Sequence, residues 1–514
     1  MPLPTLQTLD AYIAHYAASQ PDQEAAVFGN LRLTYRMLEQ RIATLAAKLA
    51  ADGLQPGDRV GVLSTPRPEY LILLNAILRA GGIYVGLNPR HTAPEMAHAI
   101  GLTAPRRVFV LRGEAGAALV DTLREAVGSL QACPIITPFA SVDDLPNGQE
   151  VGISTSTRQR DDPAVIVFTS GTTGRPKGAT LHHSGLVNAA ISQWEHLLVE
   201  RDHRMLSNLP INHVGCILNL TFGSLVGGGT LVFQEKFDPA ETLRLIEAER
   251  ISVWLQVPAM FQMATSHPNF ATRTLSSLQA ICAGGGALPA QTLARLRKTG
   301  ARIYVEYGQT ELMSTCAFSD HGTSDADLAT TVGRFDPRFN IRIADPSNLV
   351  CAAGEVGEIQ ATGDCVMKGY WNDEGATKAA FTTDGWLKTG DLAALRPDGL
   401  VELRGRLNEM IKSGGYNLYP REIEFALEAH PAIEAVVVVG LNDPTFGESA
   451  HAVLSLKPGM TVSHQEAKTW CAGSLANYKT PRSFRRLDDL PRLPNGKIDR
   501  RSVKAMAPSL PIIS

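Results

Sequence analysis

The chain reads as an α/β protein: a large N-terminal part, 1–404, made of two layered α/β subdomains and a small β subdomain, followed by a small C-terminal α/β lid, 405–514. Three observations predict this. Helix-period and strand-length apolar segments alternate through the first half, the rhythm of parallel strands covered by helices. Short strand-like pieces between turns dominate from about Gly333 to Arg404. After Gly405 the mixed pattern resumes over a stretch of ordinary domain size.

The elements follow in order. Leu38, Ile42, Leu45 and Leu49 recur at three- and four-residue steps, an amphipathic helix closed by Gly53. Val60 to Leu63 is a short buried strand, Glu69 to Arg79 a helix ended by Gly81 and Gly82, and Ile83 to Val85 the next strand. The rhythm returns with a strand at Val165 to Phe168 and a helix at Ser184 to His196. Gly357 to Ala361 and Gly399 to Leu403 are strands of the β subdomain. In the tail, Arg421 to Glu428 and His464 to Leu475 are helical, and Val436 to Val439 and Ala450 to Leu456 are strands.

Bulk properties narrow the function. The 514 residues are 44% hydrophobic and 19% charged, with a formal net charge of -3. Sizeable cores are possible, and no strong field of either sign invites nucleic acid or a membrane surface. No apolar run reaches the ~20 residues of a membrane helix, so no integral membrane segment is expected. The N-terminus lacks a basic region followed by an apolar run, which argues against a signal peptide. Seven widely spaced cysteines without a CxxC pair fit reduced thiols in a cytoplasmic enzyme.

The strongest chemical feature directly follows the strand ending at Phe168: Thr169, Ser170, Gly171, Thr172, Thr173, Gly174, Arg175, Pro176, Lys177, Gly178. Small residues let backbone N–H groups approach phosphate oxygens, the hydroxyls add donors, and Lys177 supplies compensating charge. It is not a Walker A loop, which needs Gly-Lys-Ser/Thr. Gly284, Gly285 and Gly286 follow an apolar stretch, and Tyr307, Gly308, Gln309, Thr310 and Glu311 follow the strand-like Arg302 to Val305. Thr389-Gly390-Asp391 stands before the segment 405–424, which contains Arg406, Asn408, Lys412, Gly414 and Gly415; Lys497 lies in Pro494-Asn-Gly-Lys-Ile-Asp-Arg-Arg501. Singly, each has a bland reading: a Ser/Thr/Gly surface loop, a solvated Glu311, an Asp turn at Asp391, a lysine on a loop tip. In this order over residues 165–501 they do not.

The set resembles the signatures of the adenylate-forming superfamily, in its acyl-CoA synthetase branch. The resemblance implies an ATP-dependent acid–CoA ligase that makes an acyl-adenylate with release of pyrophosphate, then passes the acyl group to coenzyme A. It implies that the 169–178 loop grips the phosphates of ATP, Tyr307 stacks on adenine against Gly284–Gly286, Thr310 contacts the α-phosphate, and Glu311 holds Mg²⁺. Asp391 would accept bonds from the ribose hydroxyls, and Arg406 would bridge to ribose or phosphate. Lys497 would drive adenylation. Lys412 would serve the thiol step, with Gly414 and Gly415 letting the pantetheine arm pass. Residue 408 would be the hinge of a rotating lid, and Asn408 departs from the family's usual Asp or Lys; Asn tolerates unusual backbone angles.

His213, after Asn212, stands where the family has an aromatic or His gate; the bland reading is a histidine packed at a helix start. No charged residue occurs from Leu209 through Gln234 or from Ile251 through Thr272, which suits an apolar fatty or aryl acid. The Asp with which amino-acid-activating relatives pair an ammonium is missing there. The alternative acceptor is a carrier-protein phosphopantetheine, and a luciferase-type oxygenase is a second rival. A monomer or homodimer is expected on base rates alone.

Overall fold

The computed structural model describes residues 3–513 apart from 114–115, 149–158, 170–175, 201, 415 and 493–496. The chain forms two compact units. One comprises 1–328, 333–340 and 361–387; the other comprises 329–332, 341–360 and 388–514.

The first unit contains two large sheets among its described residues. In one, the strands Pro163–Thr169, Ile83–Leu87, Arg59–Leu63, Arg107–Leu111 and Ile135–Phe139 lie side by side and parallel. Lys177–His182 and then Gly369–Tyr370 add antiparallel strands at its edge. In the other, Arg302–Gln309, Ala280–Gly284, Val253–Gln256, Arg204–Ser207, Thr230–Phe233 and Glu24–Phe28 run parallel. Antiparallel strands border it at Leu31–Thr34 on one side and Ser314–Phe318 and Arg334–Phe335 on the other.

The anticipated elements fall where their periodicities place them. The 38/42/45/49 stripe lies on the helix Tyr35–Ala51, whose N-cap Thr34 side chain accepts from Met37 N, and all four leucine and isoleucine positions are buried. Pro at the first helical position opens Pro68–Arg79, every residue of which is buried. Such all-round burial belongs to a helix sandwiched between sheets, and the adjacent strand Ile83–Leu87 is buried throughout as well. The apolar side of the second sheet is packed around Trp254 and Phe261 with Leu243, Ile246, Ile281 and Ile303.

The sequence-predicted β subdomain is present as a sheet in the order Asn340–Ala344, Val356–Thr362, Leu387–Leu395, Val401–Arg406. The expected strand from Gly399 begins two residues later, because Gly399 is a left-handed turn residue. The tail holds the long hairpin Ile433–Asp443 and Gly447–Leu456, bordered by Ile411–Ser413 with Tyr416–Leu418 and by Ser483–Arg486. Its valine run is buried on both faces. Val436 and Val438 pack with Ile423, Leu427 and Phe484, while Val437 and Val439 pack with Leu490 and Val503. Helices Pro420–Glu428 and Arg500–Met506 supply the two covers. The helix expected over 464–475 ends at Ala472, before Gly473.

Candidate active site

The predicted phosphate loop is the connection of a hairpin. Thr169 closes one strand, Lys177 opens the next, and the two residues are register partners. Ser170, Gly171, Thr172, Thr173 and Gly174 lie outside the described residues. At the stem, His98 Nε2 lies 2.9 Å from Pro176 O, tying the loop's return to the helix Ala93–Thr103.

The second motif meets this stem. The strand Arg302–Gln309 runs through Tyr307, Gly308 and Gln309 rather than stopping at Val305, and a single turn, Thr310–Leu312, then presents Glu311. The turn can form because Met313 adopts a positive φ of 62°. Gly308 is required by a close approach: a Cβ there would run into the Ser314 carbonyl oxygen of the neighbouring strand. Thr169 Oγ1 donates to Glu311 Oε1 at 3.1 Å, and the Glu311 carbonyl oxygen accepts from Met367 N at 2.9 Å. Tyr370, which sequence reasoning did not single out, donates its hydroxyl to the same Oε1 at 3.0 Å, and Lys177 Nζ lies 4.9 Å from the Tyr370 ring centroid. Burial, then the Glu311 carboxylate, raises the Tyr370 phenol, so it remains a donor. Thr169, Lys177 and Glu311 therefore occupy one site. A half-exposed carboxylate flanked by hydroxyls suits a hard divalent cation. No three His, Cys, Asp or Glu residues converge among the described residues, so such an ion would take its other oxygens from phosphates and water.

Gly284 ends the strand Ala280–Gly284 and is buried, whereas Gly285, at a φ of 78°, and Gly286 are exposed in the following turn. Tyr307 and Thr310 are both buried. Beside them, inside the sheet, sits a polar cluster that sequence reasoning missed. Glu306 accepts from Gln193 Nε2 at 2.9 Å, Asn219 Nδ2 at 2.6 Å and Cys282 Sγ at 3.1 Å. Burial raises its carboxyl above the ordinary range. Its position on a buried strand, where alternation predicts an apolar residue, is the signal that could have found it.

His213 lies just ahead of a π-helical segment, Gly215–Phe222, that carries Asn219 inward, and its carbonyl accepts from Cys216 N and Ile217 N. The preceding chain is clamped to the first sheet. Tyr84 donates its hydroxyl to Ile211 O at 3.2 Å, and a Cβ on Gly86 would lie 2.6 Å from Asn212 Cα. The π-helix replaces a regular turn over an uncharged run, an arrangement frequent at functional sites.

In the second unit, Asp391 is not in a turn. It lies within the strand Leu387–Leu395, paired with Arg406 of the next strand, and Arg406 Nε is 2.7 Å from Asp391 Oδ1. Lys497 has these two charges as neighbours. Although the residue keeps exposed surface, its ammonium end is crowded by protein, and this desolvation, followed by Arg406, lowers its pKa against the pull of Asp391. Arg500, three residues on, reaches Glu409 at 2.9 Å and the buried Glu424 at 2.6 Å. Lys412 is exposed on the strand Ile411–Ser413, its N–H donating to Glu448 Oε2 at 3.1 Å. Gly414 turns that hairpin at a φ of 57°; Gly415 and the Pro494–Gly496 stretch lie outside the described residues.

Comparison with known proteins agrees with this geometry. The model of the AMP-binding enzyme family matches residues 13–371, and that of the AMP-binding enzyme C-terminal domain matches residues 422–497. The chain is 34% identical over 508 residues to a feruloyl-CoA synthase from an Amycolatopsis species, covering 97% of this chain and 99% of that one. It is 33% identical to an indoleacetate–CoA ligase from Aromatoleum aromaticum, covering 97% and 98%. The crystal structure of ATP-bound MatB from Rhodopseudomonas palustris superposes with a TM-score of 0.88 at 29% identity, over 98% of this chain and 100% of that one. The chain belongs to the AMP-binding enzyme family, the adenylate-forming superfamily, in its acyl-CoA synthetase branch.

Proposed function

We propose that the protein is an AMP-forming acid–CoA ligase that activates an apolar fatty or aryl acid and transfers it to coenzyme A. The observation that carries this reading is the meeting of Thr169, Lys177 and Glu311 at the stem of the hairpin loop. The relatives' names support coenzyme A as the acceptor over a carrier protein. Cytoplasmic residence belongs to the same reading; none of the seven cysteines is in a disulfide, and among the described residues no helix is long and apolar enough to cross a membrane.

In the first half-reaction the acid carboxylate attacks the α-phosphorus of ATP and pyrophosphate leaves. No protein nucleophile is needed, because the task is positioning two anions and neutralising developing charge. Lys177 and the 169–178 loop, with Ser170, Gly171, Thr172, Thr173 and Gly174, would hold the phosphates, and Thr310 the α-phosphate. Glu311 would hold Mg²⁺, which supplies charge neutralisation when bound. Tyr307, Gly308, Gln309 and Gly284–Gly286 would frame adenine, and Asp391 with Arg406 the ribose. Lys497 would serve adenylation. In the second half-reaction the coenzyme A thiol attacks the acyl carbonyl and AMP leaves. Lys412, Gly414 and Gly415 would line that approach after rotation about Asn408. His213 would gate the acid pocket, whose uncharged surroundings suit the apolar acid.

The test is acid-dependent ATP–pyrophosphate exchange over fatty, aryl and amino acids, followed by mass detection of coenzyme A thioesters. Exchange with an apolar acid and a thioester product are expected. Absence of exchange with every acid would reject the reading, and thioester formation only on a holo-carrier protein would replace the acceptor.

A further inference from the structure

The segment around Tyr370 is held at both ends of the site. Met367 N donates to Glu311 O at 2.9 Å, Lys368 N to Thr180 O at 2.9 Å, and Trp371 N to Gly178 O at 2.7 Å. Gly369 and Tyr370 pair antiparallel with Thr180 and Ala179, and Tyr370 N donates to Thr377 Oγ1 at 2.9 Å. These bonds fix the backbone that carries the phenol. Its hydroxyl and that of Thr169 both reach Glu311 Oε1, and among the described residues no donor reaches Oε2. Its ring meanwhile lies beneath the Lys177 ammonium.

We propose that Tyr370 is a positioning residue: with Thr169 it fixes the Glu311 carboxylate through Oε1 so that Oε2 is presented to the metal of the metal–ATP complex, and its ring seats Lys177 toward the phosphates. This rests on the reading of Glu311 as the Mg²⁺ ligand. Two hydroxyls on one carboxylate oxygen remove its rotation, and outer partners of this kind typically change metal affinity by about 10- to 100-fold. A cation over an aromatic face is attracted by the ring quadrupole, so the ring and the hydroxyl have separable effects.

The experiment titrates Mn²⁺ into the full chain with an ATP analogue carrying a methylene between the α- and β-phosphates, reading free Mn²⁺ by electron paramagnetic resonance. Tyr370→Phe removes only the hydroxyl. We expect its Mn²⁺ affinity to fall about tenfold, analogue binding without metal to stay unchanged, and saturating Mg²⁺ to restore the exchange rate. Tyr370→Leu also removes the ring and is expected to weaken metal-free analogue binding. Unchanged Mn²⁺ affinity in the Phe variant, or metal-free binding lost in step with it, would overturn the hydroxyl's role; equal metal-free affinity in Phe and Leu would overturn the ring's. Glu311→Gln is the reference: if it retains full Mn²⁺ affinity, the proposal fails whatever Tyr370 does. The ligase reading is judged separately, by exchange in the unaltered chain.

Discussion

Lys497 and Asp391 show how differently single residues reveal themselves. A Thr-Gly-Asp tripeptide alone reads as a turn, yet Asp391 is buried in a strand and paired with Arg406; only its order among the other motifs pointed to a site. Lys497 was legible from the same order, but its lowered pKa was not, because it comes first from burial and then from Arg406, which is 91 positions away in sequence and close only after folding. Replacing Lys497 by Ala is expected to abolish acyl-adenylate formation while sparing thioester formation from supplied acyl-adenylate. Equal loss in both assays would reject this division of labour. In the proposed role the ammonium acts while protonated, so its lowered pKa is expected to bring the alkaline fall of pyrophosphate exchange below the ordinary lysine range. Lys497→Arg, whose guanidinium stays charged, should move that limb upward. A pH profile unchanged between the two would assign the limb elsewhere.

At the scale of elements, hydrophobic period located strands and helices, and failed where the buried face carries polarity. Helix Tyr35–Ala51 and strand Arg59–Leu63 were readable from spacing alone. The two-residue strand Gly369–Tyr370 has no period to read, so Tyr370 escaped notice. The strand Arg302–Gln309 buries Glu306 against Gln193, Asn219 and Cys282, partners from three other elements that no local pattern links. Its raised carboxyl keeps its proton in the folded chain over a range where the unfolded chain has released it. The stability contributed by the neutral form is present below the ordinary glutamate value and is lost as pH rises toward the raised one. Glu306→Gln should abolish this slope, with the Gln193 amide rotating to offer its buried Oε1, which lacks a hydrogen-bond partner. Melting curves of parent and variant across acidic pH measure it, and parallel profiles would dismiss Glu306 as the titrating group.

For the whole molecule, the alternation of segments specified two layered α/β subdomains, a β subdomain and a mixed α/β tail. Pairing order across sheets came only from the structure, since spatial neighbours such as Glu24–Phe28 and Thr230–Phe233 lie about two hundred residues apart. The proposed pivot at Asn408 is bracketed by ion pairs, Asp391–Arg406 before it and Glu409–Arg500 after it. Motion between the half-reactions would thus concentrate at 407–408. Proline fixes φ near −65°, so Asn408→Pro is expected to retain adenylate formation and lose thioester turnover, or the reverse, according to the state it locks. Retention of full overall turnover would move the pivot elsewhere.

The contact of Gly86 with the Asn212 backbone has a consequence for altering what the protein accepts. The strand bearing Gly86 lies beside the one that leads into the proposed phosphate loop, while Asn212 leads into the uncharged π-helical run. Backbone meets backbone there, so the start of the uncharged run proposed to border the acid pocket is keyed to the sheet that carries the proposed phosphate loop, with no side chain between to absorb a shift. Reshaping 212–222 for bulkier acids would transmit its displacement to that sheet.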